Sequence, residues 1–118
     1  MNAPRVFIPQ IVHRYDHLKH DMVPAFDFSA AAMFGQLTPI LSAGEDTAYL
    51  CLITPQICAA LADFKEGDYF LAVGDPAVIA ICSGVILRQV NKMNLLKWDR
   101  KTQVYFNMEI APEWPTIS

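Results

Sequence analysis

Residues 68–99, DYFLAVGDPAVIAICSGVILRQVNKMNLLKWD, constrain the fold of this chain more than any other stretch. They read as a buried strand over 69–73, a tight Gly74-Asp75-Pro76 turn, a helix over 77–90 and a second strand over 95–98. Asp75 is placed to cap the helix, and Pro76 suits its first turn, where a missing N–H costs nothing. The unbroken apolar run over 69–73 suits a strand covered on both faces. β-branched residues over 77–90 also suit a strand, but the Asp-Pro start and the length select a helix. Such a helix, apolar almost all round, is expected to be buried on more than one side. Strand, helix and strand in this order form a βαβ unit.

The flanking residues extend the pattern. Residues 5–12 (RVFIPQIV) read as a strand, and Pro9, which cannot donate to a ladder, predicts that it lies at an edge or bends. The polar residues 13–21 read as a loop or exposed excursion. Residues 28–34 suit a short helix, capped by Asp27 or Ser29 and ended by Gly35 in a left-handed conformation. Residues 37–42 form a short strand, 43–47 a turn and 48–53 (AYLCLI) a buried strand. Thr54 and Pro55 then start a helix, whose apolar face carries Ile57, Leu61 and Phe64 and which ends at Lys65-Glu66-Gly67. Residues 99–102 join strands 95–98 and 104–110 in a hairpin, and 113–118 form a tail. The predicted fold is one α/β domain: a compact mixed, mainly parallel sheet with about three helices and a C-terminal β-hairpin.

Composition narrows the function classes. The 118 residues are 53% hydrophobic and 18% charged, with a formal net charge of −3. Ordinary domains are about a quarter charged, so the chain has surplus apolar surface to bury against a partner or a second copy, and a homodimer is possible. Nucleic-acid binders usually present a basic face, which disfavours nucleic acid here. Cys51, Cys58 and Cys82 lie in apolar runs with no CxxC spacing, so all three are expected to be buried, reduced thiols. The first ten residues lack the basic start and long apolar core of a secretory signal. The apolar run 77–87 is too short for a membrane span and is interrupted by Ser83 and Gly84.

Four groups of residues are candidate sites. Gly74, Asp75, Pro76 and Ala77 lie where a helix meets the carboxyl end of a strand, the usual ligand position in open α/β sheets. Asp75 and Pro76 oppose a phosphate there; a cationic or neutral group, or a ribose hydroxyl, fits better, and a simple capped turn accounts for the same residues. His13, His17 and His20 would share one face of a helix, as metal ligands do, but Arg14 and Lys19 among them favour a solvated loop. Lys97, Trp98, Arg100 and Lys101, with Tyr105, mix cations and aromatics as single-strand binders do, but a hairpin tip with a solvated charge cluster and Trp98 packed inward is the favoured reading. Ala80, Ser83 and Gly84 on the apolar helix would let a second backbone approach closely. Ser83 has no histidine at a useful spacing, and no nucleophile-elbow, dinucleotide or phosphate-loop motif is present. No metal or cofactor is implied.

Several motifs together resemble a group of small tailed-bacteriophage proteins. They are Val6-Phe7-Ile8-Pro9-Gln10, then Pro24-Ala25-Phe26-Asp27-Phe28-Ser29 with Phe34-Gly35, then Asp68-Tyr69 with Gly74-Asp75-Pro76, then Leu95-Leu96-Lys97-Trp98-Asp99-Arg100 with Tyr105. The resemblance implies a phage-encoded protein acting in the cytoplasm of the infected bacterium, and it carries over no catalytic residue. With no catalytic constellation in the sequence, the expected role is non-enzymatic binding of a host or phage protein. The surfaces expected to carry it are the edge strand, at Val6, Ile8 and Gln10, and the hairpin, at Trp98, Asp99 and Arg100; an edge strand can accept a partner strand through its unpaired backbone groups. A small-molecule or nucleotide site at Gly74-Asp75-Pro76-Ala77 is the alternative, and single-stranded nucleic-acid binding a weaker one.

Overall fold

The βαβ unit forms as its residues dictate, and a parallel sheet assembles around it. The computed structural model describes residues 3–11, 13–24, 27–42 and 44–113. Residue 12 of the expected first strand, residues 25 and 26 of the phage-like motif, residue 43 of the expected turn and residues 114–118 of the expected tail lie outside them. In chain order the elements are β1 (Arg5–Gln10), β2 (His13–Asp16), β3 (Asp21–Pro24), a 3₁₀ helix (Ser29–Met33), β4 (Gln36–Leu41), α1 (Leu50–Ala60), β5 (Tyr69–Leu71), α2 (Pro76–Gln89), β6 (Met93–Asp99) and β7 (Val104–Ile110). A five-stranded sheet runs β4-β1-β5-β6-β7, parallel except for β7, and β2 with β3 forms a separate antiparallel hairpin.

The direction of each crossover decides which face of the sheet it covers. From β1 the chain steps outward to β4, then turns back and advances through β5 to β6. The two forward crossovers carry α1 and α2, and both pack on one face around Phe7, Phe70, Ile53, Ile57, Leu61, Val78, Cys82 and Ile86. The backward crossover carries the 3₁₀ helix, which covers the opposite face with Phe28 and Ala31 against Val6, Ile8, Leu71 and Leu96. One handedness for all three crossovers requires this division. Alternation along β1 feeds both cores at once, since Phe7 faces the α-helices while Val6 and Ile8 face the 3₁₀ helix.

Several expectations are corrected. β1 is internal, paired with β4 on one side and β5 on the other. Pro9 is tolerated because the residues paired with β5 end at Phe7, two positions earlier. Residues 48–53 do not form a strand: Ile53 continues the spacing of Ile57, Leu61 and Phe64, all buried, and α1 therefore begins at Leu50. Pro55 consequently sits inside α1, where it has no N–H for the Cys51 carbonyl, and the Thr54 hydroxyl donates to the Leu50 carbonyl at 2.7 Å instead of capping the helix. That leaves Cys51 and Cys58 exposed on its outer side, so only Cys82 is the buried thiol expected of all three.

The described residues hold two α-helices, not about three, because the third helical segment is a five-residue 3₁₀ turn. Asp27 supports it from one position before the cap, accepting the Ser29 N–H at 2.9 Å. Gly35 does not adopt a left-handed conformation. It is needed for space, since a Cβ there would lie 2.5 Å from the Pro4 carbonyl oxygen. Finally, α2 is buried along Val78, Cys82 and Ile86 only, while Ala77, Ala80 and Gly84 are exposed. Its apolar composition there reflects small residues rather than a second buried side.

Candidate functional site

The strand order reverses between β1 and β5, and the carboxyl ends of these strands open a cleft. Pro9 and Gln10 leave β1, Val73, Gly74 and Asp75 follow β5, and Thr47 and Val78 complete a space of about 190 Å³. Gly74 makes the turn with a φ of 101°, a conformation side chains other than glycine rarely adopt. Asp75 caps α2 as expected, its Oδ1 accepting the Ala77 N–H at 2.8 Å, and Pro76 takes the first helical position. Its other oxygen accepts the Thr47 hydroxyl at 3.2 Å. Both Asp75 oxygens are therefore engaged within the protein, and of the four expected residues Gly74 and Asp75 line the cleft. Gln10 holds the loop after β4, donating to the carbonyls of Ser42 at 2.7 Å and Glu45 at 2.9 Å.

A larger cleft, about 400 Å³, lies on the 3₁₀ side of the sheet between β5 and β6. Its walls are Asp27, Phe28, Val73, Trp98, Arg100 and Tyr105. Register explains the aromatic pair: Trp98 stands directly opposite Tyr105 across the hairpin, and their rings meet at 4.9 Å, inclined by 62°. Burial and, next, the negative charge of Asp27 push the Tyr105 hydroxyl above its usual range. The Asp27 carboxyl is held below the usual carboxylate range, first by the Ser29 backbone N–H. Sequence reasoning picked out Trp98, Arg100 and Tyr105 but missed Asp27 and Phe28 as partners, because the backward crossover that delivers them has no motif of its own.

The other expected groups separate. Val6 and Ile8 are fully buried in the internal strand, so neither is a surface residue. Lys97 lies opposite Phe106 on the α-helical face, whereas Trp98 lies on the 3₁₀ face, so Lys97, Trp98, Arg100 and Lys101 do not form one stacking surface. Asp99 is engaged in the turn, accepting the Lys101 N–H and the Thr102 hydroxyl, each at 2.9 Å. The 13–21 segment is a hairpin: β2 and β3 pair His13 with Pro24 and Asp16 with Asp21 around a turn that includes His17 and His20. A helical histidine face is therefore excluded, and no group of three or more His, Cys, Asp or Glu among the described residues could hold a metal ion.

Exposed apolar residues fall in three main groups: Tyr15, Leu18 and Met22 on the β2–β3 hairpin, Tyr49, Leu50 and Leu52 at the start of α1, and a row along β7. Val104, Phe106 and Met108 lie on the α-helical face, opposite Asp99, Lys97 and Leu95, and are 50%, 39% and 43% exposed. α1 packs over β4 and α2 over β1, so this end of the face is left open. No helix among the described residues is long and apolar enough to cross a membrane.

No curated protein and no solved structure matches the chain. The family described as Phage Pam3 gp32-like protein matches residues 4–112, from the residue before β1 to two residues beyond β7. That span takes in both clefts and the open β7 face, and it agrees with the phage origin implied by the motifs: the chain belongs to the Phage Pam3 gp32-like protein family.

Proposed function

We propose that this phage protein is an accessory factor that acts, without catalysis, by binding a host or phage protein in the cytoplasm of the infected bacterium. The observation that carries the reading is β7. Among the described residues it is an edge strand, free of proline, with Val104, Phe106 and Met108 exposed along one face. The opposite edge, β4, carries Pro39, which removes a backbone donor, as protected edges often do. Unpaired backbone groups beside alternating apolar side chains suit an extended partner segment, with apolar residues at alternate positions, added as a sixth strand. Trp98 and Arg100 lie at the hairpin end of the neighbouring strand β6.

The test is a Phe106→Lys, Met108→Lys double variant. Its partner complex, isolated from infected cells, should weaken at least about tenfold, because two partly desolvated apolar anchors become charged. An undiminished stoichiometric complex refutes the placement.

A second reading, a small-molecule or nucleotide site at the strand-order reversal, is favoured by the convergence of Pro9, Gln10, Thr47, Gly74 and Asp75 on one cleft. It predicts a ligand-induced rise in Tm that Asp75→Asn abolishes, the amide keeping the helix cap. No stabilisation across a nucleotide and metabolite panel contradicts it.

A further inference from the structure

We propose that the cleft between Trp98, Tyr105 and Phe28 binds a mononucleotide whose base carries an exocyclic amine, with the amine on Asp27 and the phosphate on Arg100. Its volume of about 400 Å³ falls in the size range of small-ligand sites, roughly 300–1,000 Å³. Aromatic side chains form much of its wall, and such walls favour a flat ring. Two opposite charges complete it. Asp27 Oδ1 accepts the Ser29 N–H, while Oδ2 has no donor other than that same serine among the described residues. Arg100 has no carboxylate within ion-pair distance among the described residues. Asp27 and Arg100 thus line one cleft without pairing with each other.

The groups on the wall suit a nucleotide: aromatic rings for the base, a carboxylate for a base amine and a guanidinium for the phosphate. An ionised carboxylate is an acceptor only, so it favours cytosine or adenine, which offer an amine, over uracil, which offers a carbonyl at the equivalent position. The guanidinium fork suits a phosphate. This site has Val73 in common with the switch-point cleft, but none of its charged or aromatic residues, and it shares only Trp98 and Arg100 with the proposed protein-binding surface. Val104, Phe106 and Met108 lie on the opposite face of the sheet, so Phe106→Lys with Met108→Lys tests that edge alone and Asp27→Asn tests the cleft alone.

The experiment is a fluorescence titration. The chain has two tryptophans, Trp98 and Trp114, and Trp114→Phe leaves Trp98 as the only reporter. Cytidine or adenosine monophosphate should quench Trp98 saturably. Uridine monophosphate and unphosphorylated cytidine should each bind about tenfold or more weakly, one lacking the amine and the other the phosphate. Asp27→Asn should erase the preference for cytidine over uridine monophosphate, and Arg100→Ala the preference for cytidine monophosphate over cytidine. The ligand comparisons read the same two contacts in a chain with both residues intact, should either variant fail to fold. The absence of saturable quenching at millimolar nucleotide, or equal binding of all three ligands, overturns the proposal. Much tighter, steeply salt-dependent binding of single-stranded oligonucleotides overturns it in favour of a strand.

Discussion

The Arg5 guanidinium lies 3.0 Å from Asp68 Oδ2, while the Arg5 backbone N–H donates to Asp68 Oδ1 at 3.1 Å. Asp68 is 2% exposed and also accepts the Lys65 N–H at 3.2 Å. Arg5 extends the contact to Asp63 at 2.9 Å and lies 4.7 Å from the centre of the Phe7 ring. One buried carboxylate therefore ties the start of β1 to the loop that delivers β5, at the end of the sheet away from both clefts. Asp68→Ala would leave two backbone donors and a half-shielded guanidinium without their acceptor. It should cost about 2–4 kcal/mol and lower Tm by roughly 10 °C in thermal denaturation.

Gly35→Ala should also destabilise the fold. The new methyl group would meet the Pro4 carbonyl oxygen at 2.5 Å, and that oxygen already accepts the Gln36 N–H at 3.1 Å. Both atoms belong to the backbone, so relief requires β1 and β4 to separate. A loss of about 1–3 kcal/mol is expected in urea denaturation.

The thiols should divide in two. Burial pushes the Cys82 thiol up to about 12, so it stays protonated and shielded at neutral pH. Cys51 and Cys58 are exposed on α1. A thiol-specific reagent should titrate two groups in the native protein and the third only after denaturant is added. Three fast thiols without denaturant would show that Cys82 is not packed as described.

Stability should fall as acid is added. The carboxyl of Asp63 is held below its usual range first by Arg5, that of Asp99 by the Lys101 N–H, and that of Asp27 by the Ser29 N–H. Each is more acidic folded than unfolded, so in this window the unfolded chain binds more protons and stability rises with pH. The contribution is complete above the unfolded carboxylate pKa, about 4, and is lost as pH falls below it. Tm measured from pH 6 to pH 3 should be level at first and then decline below about pH 4; a level profile throughout contradicts these interactions.

Legibility in the sequence followed the locality of the cause. Asp75 and Pro76 mark the start of α2 because cap and first-turn proline act within three residues, and both were readable. Ile53 belonged to the face of Ile57, Leu61 and Phe64, but an apolar run ending in Thr-Pro reads equally as a strand leading into a capped helix. The 13–24 hairpin has neither apolar alternation nor a glycine turn; its tip is held by Asp16, which accepts the Leu18 N–H at 2.9 Å. Pro9 pointed to an edge and the strand is internal: pairing with β5 ends at Phe7, and β4 covers the other side. Strand order is a long-range outcome, and so were the partners of Trp98: Asp27 and Phe28 reach it only after the backward crossover has folded onto the sheet.

Hydrogen–deuterium exchange on β7 tests the central claim most directly. In the isolated protein the edge amides over 104–110 should exchange faster than those of the internal strand β1. In the complex recovered from infected cells, protection should appear over 104–110 and be absent from β4. Protection confined to β4 or to the Gly74-Asp75 cleft, or a chain recovered with no partner, would contradict binding by strand addition at this edge.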